Sequence, residues 1–227
     1  MITRTQGREA RGLVSSGYSI CRLTRLVAKG LQMSMDSKDR LSDLRPEDHA
    51  YFQALENRVS QAHFEFCEYR DLFYESDSVD TLNATAPYFF SIVQRALISS
   101  IFTTIRGLCD PAITGKKENI SFAGLAARLH AGSHPRGDLF KALSDDYYQS
   151  AKPVCTVVSK RIAHQDVEHI IGVDSTKSFG VHGDKLEKLI KDAAQALDFA
   201  SNTITIYPLG PHLNGASEVV RRLRIGA

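Results

Sequence analysis

Between residues 52 and 73 the apolar side chains Phe52, Leu55, Val59, Ala62, Phe66, Tyr69 and Phe73 recur at steps alternating between three and four. An α-helix turns once every 3.6 residues, so this spacing lines all seven along one stripe; a strand, with period two, would scatter them over both faces. The stripe runs for about three heptads, and a helix carrying it needs another helix to cover it. Pro46 suits the first turn of that helix, and Glu47 and Asp48 favour the positive end of its dipole. His63 lies beside the stripe and reads as packing. A second helix is predicted from Pro87 to about Cys109. There Phe89, Phe90, Ile92, Val93, Ala96, Leu97, Ile101, Ile105 and Leu108 cover most of the circumference, which suits a central helix. One polar line interrupts it: Arg95, Ser99, Arg106 and Asp110. The dipeptide Asp110-Pro111 ends the helix, because a residue before proline avoids the α region.

Downstream, DPAITGKKEN is expected to be a loop. Ser121 is placed to cap a short helix through FAGLAARLHA. After a turn from Gly132 to Gly137, a third long helix is predicted from about Asp138 to His164 or beyond, kinked at Pro153. GVDSTKSFGVHG reads as a loop. Asp184 with Glu187 forms a capping box, and Leu186, Leu189, Ile190, Ala193, Leu197, Ala200 and Ile204 carry the last long helix. Strand signals are nearly absent, since TITIY continues the helical spacing. The fold class is therefore all-α, a bundle of four to five helices. Residues 36–207 form the helical domain, between a leader (1–35) and an extended C-terminal tail (208–227).

Hydrophobic residues make up 43% of the chain and charged residues 24%, enough to bury a core in water. No run of 18 consecutive apolar residues occurs, so no membrane association is expected. The formal charge of +2 conceals a division. Met1 to Gln32 holds six of the 28 basic residues and one of the 26 acids, leaving 22 against 25, or −3, from Met33 onward. The body is thus no broad basic surface for coating nucleic acid. The Arg-rich leader fits two readings, a transit peptide or an overlong start whose natural beginning is Met33 or Met35. It lacks the compact apolar block of a secretory signal, and a cytoplasmic location is expected. Cys21, Cys67, Cys109 and Cys155 form no CxxC pair, which argues against a zinc knuckle. The last three are expected to be buried thiols.

Familiar chemistry is largely missing. There is no P-loop, no GxGxxG and no HExxH. In HQDVEH, His164 and His169 stand five apart and diverge on a helix, so with Asp166 and Glu168 they make no metal site. No metal and no cofactor is expected. SKRIAHQD (Ser159 to Asp166) offers more. Arg161 and His164 are helical neighbours, and Lys160 lies one turn before His164. A histidine can give or take a proton near neutrality, and an adjacent arginine neutralises phosphate. RNA carries its own nucleophile, the 2′-hydroxyl, so cleavage needs only proton transfer and charge stabilisation. The same residues also suit an ordinary helix C-terminus, where the dipole favours cations.

TTIRGLCDP, a short polar loop, ISFAGLAARL and a helix ending KRIAHQD together resemble the HEPN superfamily, in its AbiU-like abortive-infection branch. The resemblance spans roughly Leu55 to Ile204. Its most specific parts are Arg106 and Asp110 as R-x-x-x-D, and Ala163, His164 and Asp166 as A-H-x-D. It implies an HEPN-like helical bundle, often dimeric, and a prokaryotic source. His164 matches the family's histidine and Lys160 its lysine, so the candidate catalytic residues are His164 with the neighbouring Arg161, and the candidate substrate contacts are Arg106, Asp110, Lys160 and Asp166. Active HEPN ribonucleases carry an arginine separated from the histidine by four to six intervening residues. Here that window holds Val157, Val158 and Ser159, with Val158 at the arginine position of the AbiU-like pattern. The expectation is therefore a catalytically degenerate RNA-binding or regulatory module of phage defence or a toxin–antitoxin system. The alternative is an active metal-independent endoribonuclease. Expected partners are a second copy of the chain, RNA, and a cognate antitoxin or defence protein.

Overall fold

The computed structural model describes residues 41–159, 183–201 and 215–226. Seven helices and one hairpin occur among them: α1 (Pro46–Phe73), α2 (Ser76–Thr85), α3 (Pro87–Leu108), β1 (Ile113–Thr114), β2 (Lys117–Glu118), α4 (Phe122–Ala131), α5 (Gly137–Val157), α6 (Gly183–Ser201) and α7 (Ala216–Gly226). The five helices expected from the sequence are all present, in an all-α bundle. Helix α1 is its axis and packs against α3, α6, α7, α2 and α4, while α5 packs against α4, α6 and α3. All seven residues of the stripe are buried, Leu55 and Phe73 completely.

Local signals account for the helix ends. Pro46 sits in the first turn of α1 with Glu47 and Asp48. Ser121 Oγ accepts from the amide of Gly124 at 3.1 Å and so caps α4. On α6 the residues Leu186, Leu189, Ile190, Ala193, Leu197 and Ala200 are all buried. Helix α5 runs through Pro153, which is exposed, and ends in a wider π-type turn at Val158 and Ser159. Its predicted continuation to His164 lies outside the described residues, as do Ile204, TITIY and the whole leader.

Helix α3 differs from expectation along its length. Its C-terminal half is core, with Ile101, Phe102 and Ile105 fully buried. Its N-terminal half is more open: Phe90 is buried, but Tyr88 is 84% exposed, Phe89 60% and Ile92 58%. The helix is long and apolar enough to cross a membrane by length and composition alone, but its second half is the interior of this bundle.

Three elements were not foreseen. Helix α2 is short and polar, anchored by buried Val79 and Leu82. The expected loop after α3 contains an antiparallel hairpin with Ile113 opposite Glu118 and Thr114 opposite Lys117. Gly115 takes its turn with φ of +62°, a conformation glycine adopts without strain. The extended C-terminal tail is corrected: its last part is α7. The Glu68 carboxylate on α1 accepts from the amide of Ala216 at 2.6 Å, satisfying a free N–H and opposing the dipole at the start of α7. Val220 then seals the helix onto the core at 4% exposure.

Candidate functional site

Asp110-Pro111 stops α3, and the stop positions the first two candidate residues. Cys109 caps the helix through its amide, which reaches the carbonyls of Arg106 and Gly107. One turn apart, Arg106 Nη1 donates to Asp110 Oδ1. Both side chains are about one-third exposed, Arg106 at 34% and Asp110 at 35%. This pair can therefore meet a ligand from solvent while anchored at the end of a core helix. The rest of the polar line does not join it. Arg95 is exposed and reaches back to the carbonyl of Ser91 at 3.4 Å.

Helix α5 packs against α3, and Cys155 and Cys109 come close enough to act on one another's ionisation. Cys109 holds the Cys155 thiol below its ordinary value, and the cation of Arg106 adds to this. The same interaction, reinforced by burial, pushes the Cys109 thiol up. The hydroxyl of Tyr147 is buried close by, without a hydrogen-bond partner among the described residues. Cys67 and Cys155 are buried as expected, but Cys109 is only partly so. Neither spacing nor motif announces the Cys109–Cys155 meeting, because only the packing of α3 on α5 creates it.

Val158, at the position where the resemblance led an arginine to be expected, belongs to the core at 6% exposure. Ser159 is the last described residue of this segment. Lys160, Arg161, His164 and Asp166 lie outside the described residues. The structure thus brings together Arg106 and Asp110, and it places Val158 at the C-cap of α5.

A second polar cluster sits at the start of α1. Asp48 is buried and accepts from Arg45 Nε at 2.8 Å and from Arg128 Nη1 at 2.9 Å. Arg128 also forks onto Glu118, with both contacts at 2.8 Å, and lies 4.7 Å from the centre of the Tyr51 ring. Burial alone would raise the Asp48 carboxyl. Its bonds to Arg45 and Arg128 outweigh this and hold it below the ordinary carboxylate value. Elsewhere, a cleft of about 10 Å³ beside His63, Cys67, Arg70 and Glu187 has room for about one water. His63 Nε2 lies 3.7 Å from Cys67 Sγ, and burial pushes that thiol up. Among the described residues no group of three or more His, Cys, Asp or Glu side chains is arranged to hold a metal.

No curated protein and no solved structure matches the chain. The HEPN_AbiU2 family model, described as AbiU2, matches residues 47–223, from the first turn of α1 into α7. The chain belongs to this abortive-infection-type branch of the HEPN helical domains.

Proposed function

We propose that the protein is a catalytically degenerate HEPN module that binds RNA in phage defence or a toxin–antitoxin system. Val158 carries this reading. At 6% exposure it packs into the core where the family resemblance implies an arginine clamp. Loss of one positioned group that stabilises developing charge typically costs about 10²–10³ in rate. Binding needs less. Arg106 is anchored at the end of α3 and partly exposed, which suits a phosphate contact. Lys160, Arg161, His164 and Asp166 would complete the surface. The alternative is cleavage with His164 as general acid and base; the partial exposure of Arg106 favours it, because that guanidinium could replace the missing clamp.

The deciding experiment incubates purified full-length protein with labelled RNA in EDTA, beside His164→Ala and Arg106→Ala. The expected result is retention of intact RNA, weakened in Arg106→Ala. Metal-independent cleavage to 2′,3′-cyclic phosphate ends, abolished in His164→Ala, would establish the alternative. A Val158→Arg variant restores the pattern, but it places a guanidinium in the core, so its melting temperature must accompany its activity.

The same reading includes a homodimer. The stripe of α1 is consumed within the protomer, so it does not supply the interface. Tyr88, Phe89 and Ile92 on α3 form the exposed apolar surface that supports one. Repeated on a second copy, one such face can pack on itself about a two-fold axis. Light scattering of the wild type and Ile92→Glu across micromolar concentrations tests this: mass should fall to about 25 kDa in the variant.

A further inference from the structure

We propose that the β1–β2 hairpin is a fixed finger that holds the phosphate backbone of RNA through Lys116 and Lys117, extending the contact made by Arg106. The inference rests on the RNA reading above, whether the strand is retained or cleaved, because both need its phosphates held.

The hairpin buries almost nothing. Ile113 on β1 is 63% exposed, and Thr114, Lys116 and Lys117 are exposed as well. Two strands without a core are marginal in water on their own. Polar bonds hold this pair instead. Asn119 Nδ2 donates to the Pro111 carbonyl at 2.8 Å and to the Thr114 hydroxyl at 2.7 Å, tying the base of the loop to β1. From α4, Arg128 forks onto Glu118. From α1, the Tyr51 hydroxyl donates to the Asn119 carbonyl and Arg58 Nη1 to the Ile120 carbonyl at 2.9 Å. A hairpin rooted in this way has little freedom left to lose on meeting a ligand, which favours binding.

The pairing register decides where its charges stand. Glu118 lies opposite Ile113, and Lys117 lies opposite Thr114. Successive side chains of a strand take opposite faces. Arg128 therefore occupies the carboxylate on one face, and Lys117 stands with Thr114 on the other. Lys116 sits in the turn beside Gly115. Neither lysine has an acidic partner among the described residues. Other cations are already engaged: Lys141, Lys188 and Lys191 each hold a carboxylate one turn away, and Glu218 holds both Arg221 and Arg222. On a body that carries −3 from Met33 onward, two adjacent free cations are where a polyanion can settle. Lys116 is six residues past Asp110, so the tip stands at most about 20 Å from the Arg106–Asp110 pair. One strand of several nucleotides can span both.

The test is fluorescence anisotropy of a labelled single-stranded RNA bearing 2′-O-methyl groups, which keeps the phosphates and removes the nucleophile. Full-length wild type is compared across a salt series with the double variant Lys116→Gln, Lys117→Gln, with the double variant Lys116→Arg, Lys117→Arg, and with Lys141→Gln as a surface control. Two phosphate contacts on a single strand should contribute about 1.4 to the slope of log Kd against log salt, hence about 25-fold in Kd at about 0.1 M salt. The glutamine variant should lose both effects with its melting temperature unchanged. The arginine variant and Lys141→Gln should bind as wild type does. RNA binding that survives the glutamine changes with the same slope would overturn the role of the hairpin and leave the RNA reading standing. Failure of wild type to bind RNA at all would overturn both. Capture of poly-glutamate as tight as that of RNA, lost in the same variant, would assign the finger to an acidic protein and overturn the phosphate contact.

Discussion

Asp48 and Asp110 are both bonded to arginine, one at the start of α1 and one just past the end of α3, yet their surroundings differ. Asp48 uses both oxygens on two arginines, and one of these, Arg128, is shared with Glu118 and stacked on Tyr51. The Tyr51 hydroxyl in turn donates to the Asn119 carbonyl at 2.5 Å and accepts from the Ser121 amide at 3.0 Å. That cluster clamps α1, the hairpin and α4 together, and its polar atoms answer one another. Asp110 meets Arg106 on its own helix, with both side chains partly open. Identical residue types thus make a scaffold in one place and a surface able to meet a ligand in the other. Burial and the reach of the partners across elements make the difference.

Removing Asp48 should have the largest effect. Breaking a buried pair costs about 3–5 kcal/mol, reduced here to roughly 2–4 because Arg45 and Arg128 still reach solvent. Asp48→Ala should lower the melting temperature by about 5–12 °C in calorimetry; an unchanged value would mean that the cluster is no scaffold. Next is Gly124→Ala, since a Cβ there would stand 1.8 Å from the Tyr51 hydroxyl and 2.8 Å from the Asn119 carbonyl. Overpacking of this kind costs about 1–3 kcal/mol, partly offset by the roughly 1 kcal/mol that alanine gains over glycine in a helix. Combining Gly124→Ala with Tyr51→Phe, which removes the clashing hydroxyl, should recover part of the loss.

Acid should separate the two clusters more gently. The folded Asp48 carboxyl is held low, so its contribution is complete above the unfolded value of about 3.9 and disappears as pH falls through the folded value. Urea midpoints at pH 7 and pH 3 should therefore differ more for wild type than for Asp48→Asn. The smallest stability effect belongs to Asp110→Asn, within about 1 kcal/mol for a partly exposed pair. Its effect should appear in RNA retention instead. A larger thermal loss there than in Asp48→Ala would reverse the comparison.

Periodicity made most of the bundle legible. The α1 stripe, the α6 face and the Ser121 cap each follow from spacing or from one short-range hydrogen bond. Helix α2 escaped notice because SDSVDTLNAT offers only Val79 and Leu82 to a core, too few to show a period. Helix α7 escaped because its anchor is Glu68 on α1, far away in the sequence. The expected central position of α3 held for its second half alone: an apolar helix face states that it avoids water, without stating which molecule covers it. For the site, Arg106 and Asp110 were legible through their one-turn spacing. The approach of Cys109 to Cys155 and the engagement of Asp48 by Arg128 join residues from separate helices, and no local pattern encodes them.

The bond from Glu68 to Ala216 also bears on the order in which the molecule assembles. It closes a loop spanning 148 positions, and the entropy of that closure must be overcome before α7 gains any contact with α1 and α2. The rest of the bundle can form from nearer neighbours, so α7 should dock after the other described helices and open before them. Its amides should exchange with deuterium well ahead of those of α1, making the C-terminal helix a late latch on a bundle already assembled.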